Sequence, residues 1–122
     1  MMDYIKHTSL AYNTRMVIIE TSVFTRLIRE LMDDDNYREL QEALVQQPDA
    51  GDLIKGSGGL RKVRWKLEGR GKRGGVRIIY YWMTADDQLW MLYGYAKASQ
   101  EDLTKAQQKA LREVVERWKN ER

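Results

Sequence analysis

Three strand-like segments follow one another with little between them, and this limits the fold more than any other feature of the chain. They are Leu60–Leu67, Val76–Met83 and Leu89–Tyr95. A glycine-rich loop, Glu68-Gly-Arg-Gly-Lys-Arg-Gly-Gly75, joins the first pair, and a turn holding Asp86-Asp87 joins the second. Such spacing reads as consecutive hairpins, hence as neighbouring antiparallel strands. The middle segment stays apolar from Ile78 to Met83, the pattern of a central strand buried on both faces.

Upstream, Met16-Val-Ile-Ile-Glu20 is a further candidate strand. Thr21 or Ser22 can cap a helix after it, with Val23, Phe24, Leu27, Ile28 and Leu31 on one face. The run Asp33-Asp34-Asp35-Asn36 lacks the alternating ligands, the central glycine and the distal Glu of a calcium loop. It reads instead as a loop and helix N-cap. A second helix follows, with Tyr37, Leu40 and Leu44 inward, and ends before Pro48. Gly51 to Gly59 is a glycine-rich connection. Ser99-Gln-Glu-Asp102 resembles a capping box opening a last helix, whose stripe is Leu103, Gln107, Ala110, Leu111, Val114, Val115 and Trp118. The predicted order is β-α-α-β-β-β-α: an α+β fold with helices packed on one side of a mostly antiparallel sheet.

A chain of 122 residues suits one domain. It has no cysteine, and hence no disulfide framework. No apolar run approaches the ~18 residues needed to span a bilayer, and residues 1–15 contain no secretory apolar core. A cytoplasmic protein with no membrane partner is expected.

The net charge of +3 is ordinary, but its distribution is not. Between Lys55 and Arg77 nine basic residues face one acid, Glu68, so this window carries +8 and the remainder −5. A concentrated basic segment on a mildly acidic body is the footprint of a polyanion-binding surface. The bland alternative is a solvated charged hairpin.

Strand alternation sorts that segment. Val63, Trp65 and Leu67 point toward a core, while Lys62, Arg64 and Lys66 point the other way. Arg77 opens the next strand and can join them across the hairpin. Clustered cations repel unless something anionic visits, and a phosphodiester suits them: Arg forks hold phosphate oxygens while Lys supplies a mobile charge. Arg61, Lys66, Arg70, Lys72 and Arg73 are the candidate contacts to nucleic-acid backbone. The loop is no Walker motif, because no Gly-Lys-Ser/Thr opens a helix there. Trp65, and most of Tyr80, Tyr81 and Trp82, read as core. Tyr95, at a strand end just before Lys97, reads as the site aromatic.

Other chemistries lack their residues. His7 is the single histidine and lies in the N-terminal extension. No metal-ligand cluster is visible, and a Ser-His-Asp triad would have to use that histidine. Cleavage of RNA would then need no metal and no cofactor. It would rely on Lys to carry protons, its pKa pushed down by surrounding cations, and on Arg to stabilise charge.

The stretch Asp52-Leu-Ile-Lys-Gly-Ser-Gly-Gly-Leu-Arg-Lys-Val-Arg-Trp65 resembles the centre of RelE-superfamily toxins, and within them the HigB group. Gly71-Lys-Arg-Gly-Gly-Val-Arg-Ile-Ile-Tyr-Tyr81, Tyr93-Gly-Tyr-Ala-Lys97 and Glu101-Asp-Leu-Thr continue the likeness. The resemblance implies a type II toxin, a metal-independent endoribonuclease (mRNA interferase). Such toxins enter the A site of the 70S ribosome and cut mRNA by attack of the ribose 2′-hydroxyl. It also implies a cognate antitoxin, here of the HigA-like helix-turn-helix kind. Carried over by position, Lys62 is the candidate base and Arg77 the transition-state stabiliser. Arg64 and Lys97 would hold phosphate or assist the leaving oxygen. Some members carry a catalytic tyrosine a few residues beyond the last basic residue. Leu103 occupies that region here, which leaves Tyr95 as the substitute. The toxin domain is expected to span 16–122. Residues 1–15 read as an extension, either a disordered tail or the product of an upstream start with Met16 as the native initiator.

Two other readings stand beside this one. A ParE-like toxin shares the fold but inhibits gyrase and lacks the basic catalytic set, which this chain retains. A plain RNA- or DNA-binding module would use the same patch without cleaving anything.

Overall fold

The computed structural model describes the backbone of residues 4–8, and residues 15–67 and 74–121 in full. In chain order its elements are β1 (Tyr4–Thr8), β2 (Val17–Thr21), α1 (Ser22–Leu31), α2 (Asp34–Gln46), β3 (Asp52–Leu53), β4 (Arg61–Trp65), β5 (Val76–Met83), a 3-10 turn (Thr84–Asp86), β6 (Gln88–Ala96) and α3 (Lys105–Glu121). The strands form one six-stranded sheet, ordered β1-β2-β6-β5-β4-β3. β2 pairs with β6 in parallel, and the other neighbours are antiparallel. The α+β arrangement and its order are those the sequence predicts. Two strands are added: β1 within the extension, and the short β3 within the glycine-rich connection.

The helix starts follow from local chemistry. Thr21 is extended, and its hydroxyl accepts the Phe24 N–H at 3.1 Å, which caps α1. Asp33 caps α2 by accepting the Asn36 N–H at 2.8 Å, and Asp34 and Asp35 in the first turn complement the helix dipole. Gln46 ends that helix ahead of Pro48. In the turn between β5 and β6, Asp87 takes a positive φ of 52°, a conformation Asp tolerates better than most residues.

The last helix starts later than Ser99-Gln-Glu-Asp102 predicts. Its capping box is Thr104 with Gln107: the Gln107 N–H donates to Thr104 Oγ1 at 3.0 Å, and the Thr104 N–H donates back to Gln107 Oε1 at 3.0 Å. Ser99 and Gln100 instead fold back on the Ala96 carbonyl. The Asp102 carboxylate is taken by the Leu103 N–H and by Lys62. Leu103 therefore precedes the helix rather than starting its stripe.

The placement of the helices on one side also needs correction. Phe24 and Ile28 of α1 and Leu40 and Leu44 of α2 pack with Ile78, Tyr80, Leu89 and Met91 on one face of the sheet. Val115 and Trp118 of α3 pack on the other face with Ile79, Trp90, Leu92 and Tyr95. The cause lies in β5 and β6, which are apolar at successive positions and so need cover on both sides. The Trp118 ring stacks on Trp90 with centroids 4.2 Å apart, which fixes α3 across the strands. Leu92 is an extra residue in β6, opposite the step between Ile79 and Tyr80. This bulge lets Leu92, Tyr93 and Tyr95 all serve the α3 face.

Candidate functional site

The register of β4, β5 and β6 builds the site. Arg64 lies opposite Arg77, and Arg77 lies opposite Tyr95, so the three form a row across the sheet. Cβ atoms of directly opposed residues stand about 4.5–5.5 Å apart. Lys62 is two residues along β4 and therefore on the same face. Lys97 follows β6, where its N–H donates to the Gly75 carbonyl at 3.1 Å. Its side chain lies over Gly74: a Cβ there would come within 2.8 Å of Lys97 Cγ. The Arg77 guanidinium reaches the same corner and donates from Nη1 to the Gly74 carbonyl at 2.8 Å. Lys62, Arg64, Arg77, Tyr95 and Lys97 thus share one face of the sheet, with Lys62 and Lys97 on opposite sides of the row.

Each side chain has a distinct environment. Lys62 is 21% exposed and pairs with Asp102 at 3.2 Å, so its surroundings are not purely cationic as the sequence implied. Lys97 pairs with Glu101 at 3.3 Å. Arg64 is exposed, and among the described residues no carboxylate engages it or Arg77. Tyr95 is only 4% exposed, and its hydroxyl has no hydrogen-bond partner among the described residues. The Leu103 N–H beside it is already engaged by Asp102 Oδ1 at 2.9 Å. Burial raises the Tyr95 phenol above its ordinary range; Asp102 adds to that rise and Arg77 opposes it. The Asp102 carboxyl lies below its ordinary range, first because it accepts the Leu103 N–H and then because it accepts from Lys62.

Two hollows flank the row. One, of about 270 Å³, touches Lys62, Arg64, Lys55 and Asp102. The other, of about 300 Å³, runs from Arg64 and Lys66 over Gly74 and Gly75 to Arg77. Both are open; the first is lined mainly by polar surface and the second mainly by apolar surface, with basic side chains on the walls of each.

The remaining candidates divide. Lys66 is exposed beside Arg64 and belongs to this surface. Arg61 does not: alternation sends it to the other face, where Nη1 donates to the Gly51 and Asp49 carbonyls at 2.8 and 3.4 Å and ties down the connection before β4. Arg70, Lys72 and Arg73 lie outside the described residues. Trp65 and Tyr80 are core residues, as read from the sequence, and pack on the α1–α2 side. Sequence reasoning missed Glu101 and Asp102 as members of the site. The acids were visible, but the capping-box reading absorbed them.

A protein-family model described as "RelE toxin of RelE / RelB toxin-antitoxin system" matches residues 16–122. That stretch holds β2 through α3 and every side chain named at the site.

Proposed function

We propose that this chain, which belongs to the RelE toxin family of toxin–antitoxin systems, is an endoribonuclease that cuts mRNA during translation. Family membership gives it an antitoxin as partner. The observation that carries the nuclease reading is the row Arg64–Arg77–Tyr95 with Lys62 and Lys97 on opposite sides of it. It concentrates four cations and one buried phenol where a single phosphodiester would lie.

The reaction we assign is transfer within RNA. A ribose 2′-hydroxyl gives up its proton, its oxygen bonds to the adjacent phosphorus, and the bond from phosphorus to the 5′-oxygen breaks. The leaving oxygen takes a proton, giving a 2′,3′-cyclic phosphate and a 5′-hydroxyl. Lys62 is assigned as the base. Arg77 faces the phosphate and stabilises the charge that grows on its oxygens. Arg64 and Lys97 hold the phosphate. Tyr95, protonated, is assigned as donor to the leaving oxygen, which requires RNA binding to uncover its buried hydroxyl. No step requires a metal. We place the toxin domain at 16–122, its action in the cytoplasm, and its antitoxin in the HigA-like class.

The cationic face supports a ribonuclease over a ParE-like gyrase inhibitor, because such an inhibitor has no use for this set. Primer extension on an mRNA in a translating extract tests the proposal. Protein-dependent stops within the translated frame, weak or absent on the same RNA without ribosomes, are expected. Equal cutting of naked RNA at the same positions would remove the ribosome from the proposal, and no cutting in either would remove the nuclease.

A further inference from the structure

The two lysines of the site are each held by an acid from one short segment. Lys62 Nζ meets Asp102 Oδ1 at 3.2 Å, and Lys97 Nζ meets Glu101 Oε1 at 3.3 Å. Glu101 and Asp102 are consecutive, and they sit in the turn that carries the chain from β6 to α3 across the site. Arg64 and Arg77, in the row between those lysines, have no carboxylate partner among the described residues.

We infer that Glu101 and Asp102 occupy, in the free chain, positions that RNA phosphates take in the complex, so that binding RNA exchanges two internal carboxylates for phosphates. This rests on the reading of the cationic face as an RNA site. Three observations support it. First, a carboxylate offers Lys the same kind of anionic oxygen as a phosphate, at the same contact distance. Second, both acids are exposed: the side chains of Asp102 and Glu101 are 69% and 90% accessible. Exposed pairs are weak, so a polyanion that also engages the two open arginines can displace them. Third, the turn is tied to the α3 cap through Gln100 Nε2, which donates to Gln107 Oε1 at 2.7 Å, so its backbone can stay in place while only the two exposed carboxylate side chains swing off the lysines. The pair therefore acts as a self-competitor: it neutralises the lysines until a phosphate chain long enough to reach the arginines arrives, and disfavours small anions that cannot.

The test measures binding rather than cleavage. The full-length chain is titrated into a labelled single-stranded 2′-O-methyl RNA oligonucleotide, which lacks the attacking hydroxyl, and anisotropy is read at low salt. Asp102→Asn and Glu101→Gln should each tighten binding roughly threefold, and the double variant roughly tenfold, the scale of exposed ion pairs. Glu116→Gln removes the same charge from the Arg112 pair on α3 and should change affinity less than either. In the wild-type complex, the carboxyl 13C titration of Asp102 should move up toward the ordinary carboxylate range as Lys62 leaves it. Equal tightening by Glu116→Gln would reduce the effect to net charge and overturn the inference. So would weaker binding by Asp102→Asn together with an unmoved Asp102 titration, which would make Asp102 a support for Lys62. Should Asp102→Asn fail to fold, Glu101→Gln carries the comparison, since its carboxylate bonds Lys97 in an exposed pair. Wild-type binding without any gain in the variants removes only this inference, whereas no binding by any form removes the RNA face itself.

Discussion

Arg64 and Arg77 stand directly opposite one another on adjacent strands, on the same face, with no carboxylate between them among the described residues. Like charges in directly opposed sheet positions destabilise, so this pair carries a cost to the fold. Arg64→Gln should therefore keep stability or raise it, by up to about 1 kcal/mol, while slowing cleavage. Thermal unfolding and single-turnover kinetics on programmed ribosomes measure the two effects. A clear loss of stability would mean that Arg64 supports the sheet.

Arg77 is assigned to the transition state, and only interactions that strengthen there accelerate chemistry. Arg77→Ala should reduce the single-turnover rate roughly 100-fold or more. Ribosome affinity should change far less, because Lys62, Arg64, Lys66 and Lys97 keep most of the backbone attraction. If saturating protein restored the full rate, Arg77 would be a docking residue.

How much of this was legible beforehand depends on the kind of signal. Alternation along Arg61–Trp65 is strictly local, so the facing of Lys62 and Arg64 away from Val63 and Trp65 was readable. The same rule separates Arg61 from Lys62, yet a count of basic residues had pooled them. The second helical layer was announced by β5 and β6, apolar at successive positions, but a stripe on α3 does not say which face it will cover. The pairing of Asp102 with Lys62 joins residues 40 apart in the chain, and no periodicity encodes it. β3 and β1 exist through pairing with neighbours rather than through pattern, since neither short segment is amphipathic enough to declare itself.

Tyr95 is buried, and burial together with Asp102 raises its phenol above the ordinary value. It therefore holds its proton throughout the neutral range and can act there as a donor only. Tyr95→Phe should slow cleavage by roughly 100-fold if it protonates the leaving oxygen. The shape of the pH–rate profile between about pH 6 and 9 should stay the same, because a group titrating above its ordinary value of about 10 adds no limb there. A limb lost from the profile in the variant would contradict this protonation state.

Tyr37 and Tyr80 make the fold sensitive to alkali. Burial raises both phenols, and Glu20, the hydrogen-bonded partner of Tyr37, raises that one further. Tyr80 donates to the Pro48 carbonyl at 2.6 Å and accepts the Gly51 N–H at 2.9 Å. A folded pKa above the unfolded value gives stability that is complete below about pH 10 and declines as pH rises past it, because the unfolded chain then releases protons that the folded chain keeps. Melting temperature should be nearly flat from neutral pH to about 9 and then fall. Tyr80→Phe should reduce that alkaline slope, at a cost of roughly 1–3 kcal/mol at neutral pH for the two lost bonds. An unchanged slope would show that other groups govern the alkaline transition.

Adjacent glycines before β5 should fail in different ways. Gly75 has φ +65°, and a Cβ there would lie 2.3 Å from the Trp65 carbonyl oxygen, a backbone atom fixed in the hairpin. Left-handed strain alone costs an ordinary residue roughly 1–2 kcal/mol, and the clash adds to it. Gly75→Ala should therefore lower the melting temperature sharply, or prevent folding. Gly74 also has a positive φ, +77°, but its Cβ would meet Lys97 Cγ at 2.8 Å, part of a flexible side chain that can swing away. Gly74→Ala should cost the backbone strain and a small shift at Lys97 Cβ, which the new methyl would approach to 3.1 Å, and it should move Lys97 off the corner it shares with the Arg77 guanidinium. The expected signature is a protein that folds, binds programmed ribosomes and cleaves slowly, with Lys97→Ala adding little to the defect. If Gly74→Ala and Lys97→Ala instead multiplied their losses, the glycine would act on the site by a route other than the lysine.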